Sequence, residues 1–134
     1  MADFTDYLEN ALLNHVFRNT ALTSPTDVYV ALFTAAPDET GGGTEVSGND
    51  YARIAAAFDA PTADATDATR QAILNSADLL FQTTHDPVVS VVAFGIYDAS
   101  TLGNLLIWNS ITATDLGVGA EIKFPVGNLK VHLS

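Results

Sequence analysis

The sequence contains no cysteine, so disulfides, thiolate metal sites and cysteine nucleophiles are excluded and the fold must hold without cross-links. It is also poor in cations. Five Lys and Arg stand against sixteen Asp and Glu, a formal net charge of -11, and such a field repels a phosphate backbone. Nucleic-acid binding is not expected. No apolar run approaches the ~20 residues of a membrane-crossing helix, and residues 2–6 carry acids where a secretory signal carries basic residues. A soluble protein with no membrane association is expected.

Sites with recognisable spacing are missing as well. The run Gly41-Gly42-Gly43 leads to Thr44-Glu45-Val46, not to the Lys and helix of a phosphate loop. No Asp-x-Asp-x-Asp-Gly calcium loop and no Gly-x-Ser-x-Gly nucleophile elbow occurs. His15, His85 and His132 are scattered. They read as a helix-face residue, a loop residue without an obvious partner and a solvent-facing strand position. Asp38, Glu39, Asp64 and Asp67 read as solvated acids. No catalytic constellation, metal site or cofactor site emerges, and the expectation is a protein that is not an enzyme.

What is present is apolar material: 48% of 134 residues are hydrophobic and 16% charged, enough for one core in one domain spanning 1–134. Phe4, Leu8, Ala11, Leu12, His15 and Val16 fall on one helical face, which predicts a helix over 4–17. Asp3, Thr5 or Asp6 caps its start. Beyond it the patterning turns to that of strands, within a β domain over 27–134. Residues 27–34 are β-branched and aromatic, 51–58 alternate, and 88–97 are almost continuously apolar, as in a central strand buried on both faces. Residues 71–82 read as two short strands around Asn75-Ser76, with one amphipathic helix as the alternative. In 105–112, Leu106, Trp108 and Ser110 take one face and Leu105, Ile107 and Ile111 the other. In 120–124 and 128–133, Glu121, Lys123, Lys130 and His132 lie opposite Ile122, Phe124, Leu129, Val131 and Leu133. The glycine run 41–43 reads as a loop too flexible to be an element, and the Ala/Asp/Thr stretch 61–69 as a long loop. Seven or eight short strands with one N-terminal helix predict a mainly β fold, an antiparallel sandwich or barrel-like, jelly-roll-type domain.

Several of these segments are similar to a known family. Tyr29-Val30-Ala31-Leu32-Phe33-Thr34 with Pro37, Gly42-Gly43-Thr44-Glu45-Val46-Ser47-Gly48 leading to Tyr51-Ala52-Arg53, Phe94-Gly95-Ile96-Tyr97-Asp98-Ala99, and Gly103-Asn104-Leu105-Leu106 resemble the small structural proteins of tailed bacteriophages. The opening Tyr7-Leu8-Glu9-Asn10-Ala11-Leu12-Leu13 resembles that family's first helix. The resemblance implies a virion component made in the host cytoplasm and carried on the capsid exterior or the tail. Its leading form is a capsid decoration, or cement, protein that binds the major capsid protein as a trimer, because no repeat suggests a fibre shaft. The alternative is a tail or tail-fibre subunit contacting tail proteins. A carbohydrate-binding module, using Trp108, Tyr29, Tyr51 and Tyr97, is a more distant reading.

Within such a fold, Tyr51 and Arg53 share a strand face and are expected to anchor the glycine loop. Gly95 suggests a bulge or close backbone approach, and Trp108 a fold anchor. The loop carrying Glu39, Gly41, Gly42, Gly43, Thr44 and Glu45 is the candidate interface, with 60–69 beside it.

Overall fold

The computed structural model describes residues 3–82 and 85–133, and the chain is mainly antiparallel β with one helix. The elements are β1 (Asp3–Phe4), α1 (Asp6–Phe17), β2 (Val28–Ala35), β3 (Thr44–Glu45), β4 (Ile54–Ala56), β5 (Thr62–Asp64) and β6 (Asp67–Leu74). They continue with β7 (Leu79–Gln82), β8 (Val89–Tyr97), β9 (Leu105–Leu116), β10 (Glu121–Phe124) and β11 (Lys130–Leu133). The large sheet runs β1-β9-β8-β2-β3, with β4 also paired to β2. A β10-β7 pair and a β11-β6-β5 sheet complete the fold. The arrangement is sandwich-like and does not close into a barrel.

The long apolar segment predicted to be central is central. β8 pairs with β2 on one side and β9 on the other, and its run Ala93 to Ile96 is wholly buried. One face of these strands presents Val30, Leu32, Val91, Phe94 and Ile96 to the main core, which Leu79 and Phe81 of β7, Ile122 of β10 and Leu129 close from above. Aromatic contacts bind the layers: Tyr51 stacks on Phe81 at 6.2 Å, and Phe124 meets Phe94 edge-on at 5.4 Å. The other face holds a smaller cluster of Ala31, Phe33, Ala93 and Leu105, flanked by Tyr97 and Trp108. Gly95 lies under it. A Cβ there would sit 2.6 Å from Leu105 Cδ1 and 3.0 Å from Phe33 Cε2, so the missing side chain admits these two over the strand.

The buried turn after β6 is held by Asn75. Its Nδ2 faces the carbonyls of Ala77, Phe124 and Pro125, and its Oδ1 accepts from Leu129 N at 2.9 Å. One side chain thus ties the ends of β6, β10 and β11 together, satisfying polar groups that the core would otherwise leave unpaired. Residues 71–82 do form two strands, but these pair with β11 and β10, not with each other.

Several expectations change. Eleven strands are present among the described residues in place of seven or eight, because two- and three-residue pairings such as β1, β3 and β5 are too short to leave a pattern. Phe4 belongs to β1, and the helix begins at Asp6 after Thr5, whose hydroxyl accepts from Leu8 N and donates to Leu105 O. The stretch read as a loop over 61–69 contains the β5–β6 hairpin, whose ladder needs backbone amides and not large side chains. Only Ile54–Ala56 of 51–58 is strand. Leu105 and Ile107 do not share a face: a register shift between Ile96 and Tyr97 sets an extra β9 residue there, sending Leu105 to the smaller cluster and Ile107 to the main core. His132 is 8% exposed, not solvent-facing. Its ladder partner is the small Ala72, which leaves room for the imidazole against the sheet.

Candidate interface loops and their anchors

The Gly41-Gly42-Gly43 segment is a closed hairpin tip. Asp38 Oδ1 accepts from the amide of Thr40 at 2.9 Å and from its hydroxyl at 2.6 Å, and Gly41 N donates to Asp38 O at 3.0 Å. These donors hold the Asp38 carboxyl below its usual range, the Thr40 hydroxyl first among them. Gly43 has φ +74°, and a Cβ on it would lie 2.7 Å from Ala35 O and Pro37 N, so the chain doubles back where only glycine fits. The tip is therefore closed by local hydrogen bonds. Asp6 N donates to Glu39 O at 2.9 Å, joining the first turn of α1 to the same tip.

Glu45, Tyr51 and Arg53 converge behind this loop. Arg53 Nε and Nη2 each donate at 2.8 Å to a different oxygen of Glu45, the two-pronged geometry that suits a guanidinium and a carboxylate. Arg53 Nη1 donates to Ala99 O at 2.9 Å and Leu102 O at 2.7 Å, and its Cζ lies 3.5 Å over the Tyr97 ring. Tyr51 Oη donates to Glu45 Oε1 and accepts from Leu32 N, both at 3.0 Å. Glu45 holds the guanidinium charged, and burial pushes the Tyr51 phenol up. Arg53 thus fastens the 98–104 turn to β3, and Asp98 closes that turn by accepting from Asn104 N at 2.7 Å and Nδ2 at 2.9 Å. Leu102 stands 86% exposed at its tip with φ +55°, a conformation uncommon for a branched side chain.

A second cluster centres on Asp64. Its carboxylate accepts from Arg70 Nε at 2.6 Å, Lys130 Nζ at 2.9 Å, and the amide and hydroxyl of Thr66 at 2.9 and 2.8 Å. The Thr66 amide, then Lys130, hold this carboxyl well below the usual carboxylate range. The expectation of a solvated Asp64 is overturned: its side chain has no exposed surface. Asp67 is exposed and holds the amide and hydroxyl of Thr69. Burial, with Arg70 next, pushes the His132 imidazole down, and Nδ1 of this residue has no hydrogen-bond partner among the described residues.

His85 is also buried, against the expectation of a loop residue without a partner. Nδ1 lies 3.0 Å from Pro87 O and Nε2 2.9 Å from Ser47 O, and the two carbonyls raise its affinity for a proton. His15 stays exposed, with Nδ1 3.2 Å from Leu22 N. Among the described residues, no three His, Asp or Glu side chains gather to hold a metal ion, and no helix is long and apolar enough to cross a membrane. The ring faces named for sugar stacking are occupied at Tyr51, by Phe81, and at Tyr97, by Phe33 and Arg53. Trp108 Nε1 is buried without a hydrogen-bond partner among the described residues. Sequence patterning pointed to Tyr51 and Arg53; Asp64 and Asn75 were missed, because a small polar run and a turn look alike whether solvated or buried.

The chain is thus a two-layered, mainly antiparallel β body whose charged and aromatic side chains brace its connecting loops. The chain belongs to the Gp80 family, described as the podophage GP4 fiber I protein gp80, whose sequence profile matches residues 3–132. It is accordingly a phage virion structural protein of a fibre family. No curated protein matches the chain.

Proposed function

We propose that this chain is a globular subunit of a virion fibre, assembled as a homotrimer and attached to tail proteins. The observation that carries this reading is the fibre description of a family that covers nearly the whole chain. The braced loops support it, since a contact surface set before binding loses little conformational entropy on docking. The 36–43 hairpin, with Glu39 and Thr40 at its exposed tip, is the contact element of this reading.

Capsid decoration is the second reading, with the major capsid protein as partner. It is favoured by the absence of shaft-like repeats in the sequence and by an acidic charge suited to a protein displayed in many copies. Cryo-electron microscopy of the purified virion, with copy number from calibrated staining, separates the two. Density confined to the tail with few copies per particle supports the fibre. Hundreds of copies on the shell's local three-fold positions replace it with decoration, and absence from the virion removes both. Within either outcome, Glu39→Lys with Thr40→Ala is expected to lower virion incorporation while leaving the purified protein folded. Unchanged incorporation would remove the hairpin from the interface.

A further inference from the structure

His85 sits where two irregular stretches of chain meet. It is 6% exposed, and both of its ring nitrogens face backbone carbonyls: Nδ1 lies 3.0 Å from Pro87 O and Nε2 2.9 Å from Ser47 O. A carbonyl oxygen only accepts, so each contact is a hydrogen bond only when its nitrogen carries a proton. A neutral imidazole has one such proton and turns a lone pair toward the second carbonyl, whereas the imidazolium satisfies both. The geometry therefore selects the charged ring. Asp50 and Asp86, one acid from each stretch, are the nearby charged groups among the described residues, and both favour the cation.

The two bonds hold different things. Pro87 is in the same segment as His85, whereas Ser47 is 38 residues away, between β3 and Tyr51. The Ser47 bond closes the 47–50 loop onto the segment that leads into β8, and Asn49 Nδ2 adds only a longer contact to Asp86 O at 3.5 Å. Both ends of that loop are fixed independently of His85. Val46 N donates to Leu32 O at 2.9 Å, and the Tyr51 hydroxyl is held by Glu45 and by Leu32 N. Between these ends Gly48 and Asn49 take φ of +87° and +53°, a turn that no ladder supports. The loop can therefore leave His85 without disturbing the sheets.

We propose that His85 is a proton-operated latch: as the imidazolium it locks the 47–50 loop onto residues 85–87, and on losing a proton it frees that loop while the β body stays folded. The bond given up is the one to Ser47, because the chain itself keeps Pro87 close. The latch is closed on the acid side and opens as pH rises. Ser47 and Gly48 of the loop line a pocket of about 330 Å³ together with Ser100, Thr101 and the exposed Leu102, so the latch sets the shape of the surface around that side chain. The inference goes beyond the fibre reading and does not depend on it.

Nuclear magnetic resonance of the full chain with isotope-labelled histidine tests it. The His85 ring, assigned by the signal lost in His85→Gln, is expected to carry protons on both nitrogens in mild acid and to titrate above the ordinary imidazole value of about 6.5. Hydrogen exchange of the Tyr51 amide, which donates to Gly48 O at 3.2 Å, reports on the loop. Corrected for the intrinsic pH dependence of exchange, its protection is expected to fall about tenfold as the ring deprotonates. Protection at Tyr51 below that of the β8 amides is expected throughout, the mark of a local opening. In His85→Gln, whose amide has no charge to lose, the step with pH should vanish. If that variant fails to fold, the wild-type titration and exchange profile still decide the matter. A ring that titrates at or below about 6.5, Tyr51 protection that stays constant as the ring titrates, or a step that persists in His85→Gln would each overturn the latch. None of these results bears on the virion density, so this inference and the fibre reading fail separately.

Discussion

At the Glu45 cluster the cation is the buried partner, with the Arg53 side chain 7% exposed and Glu45 26%. At the Asp64 cluster the anion is buried, at 0%, while Arg70 and Lys130 keep 20% and 30% of their surface. Arg53 has one carboxylate and makes up the rest of its bonding with backbone carbonyls and the Tyr97 face. Asp64 has two cations and the Thr66 donors. A desolvated charge is costly unless it is paired and fully hydrogen-bonded. The two sites meet that requirement differently: one depends on a single counterion, the other divides the work between two.

The largest expected effect follows from that dependence. Glu45→Ala removes the only carboxylate bonded to Arg53 among the described residues and the acceptor of the Tyr51 hydroxyl, leaving a buried guanidinium without that anion, and should cost about 3–5 kcal/mol in equilibrium urea unfolding. Arg53→Lys keeps the charge but loses the fork and the bonds to Ala99 and Leu102, with an expected loss of about 1–3 kcal/mol. It should also raise proteolysis in the 98–104 turn, which Arg53 fastens to β3.

At the other cluster the singles should be milder. Arg70→Ala leaves Lys130 on Asp64 Oδ1, and Lys130→Ala leaves Arg70 on Oδ2. Each should lower the urea midpoint less than Glu45→Ala does. The double variant should lower it by more than the sum of the two, because only then is Asp64 stranded without a cation. If Arg70→Ala alone matched Glu45→Ala, the distinction between one counterion and two would be broken.

The same pair of sites shows what the sequence could reveal. The large sheet was legible because buried strands need apolar and β-branched side chains: 88–97 announces β8, and 27–34 announces β2 to within a residue. Tyr51 and Arg53 stood out because they share one face of an alternating segment that follows the glycine loop and resembles a known family. Asp64 did not, since it lies among Ala, Thr and Asp residues in a hairpin held by backbone bonds, and its cations come from Arg70 and the distant Lys130. The β9 register shift was equally hidden. A local pattern cannot report an extra residue whose only sign is the partner strand's numbering. The exposure of Val16 at the end of α1 was missed for a related reason: periodicity gives a helix an apolar face but does not say whether anything in the same chain covers it.

The smallest expected effect is a dependence on pH in which two buried histidines act in opposite directions. Burial and Arg70 depress His132, so below the ordinary imidazole pKa of about 6.5 the unfolded chain takes up a proton that the folded chain resists, and stability falls as pH drops through that range. At His85, the carbonyls of Pro87 and Ser47, with Asp50 and Asp86 nearby, raise the folded pKa. The stability it contributes is full below about 6.5 and is lost as pH rises through the higher folded value. Urea midpoints across this window should therefore pass through a maximum near pH 6.5 in the wild type, falling on the acid side through His132 and on the alkaline side through His85. They should slope upward with pH in His85→Gln, where only His132 titrates between the two, and downward in His132→Gln. Arg70→Ala sharpens the test, because it removes a positive neighbour from His132 and should weaken the acid-side loss without altering the loss on the alkaline side. A profile unchanged by Arg70→Ala would show that Arg70 takes no part in depressing His132.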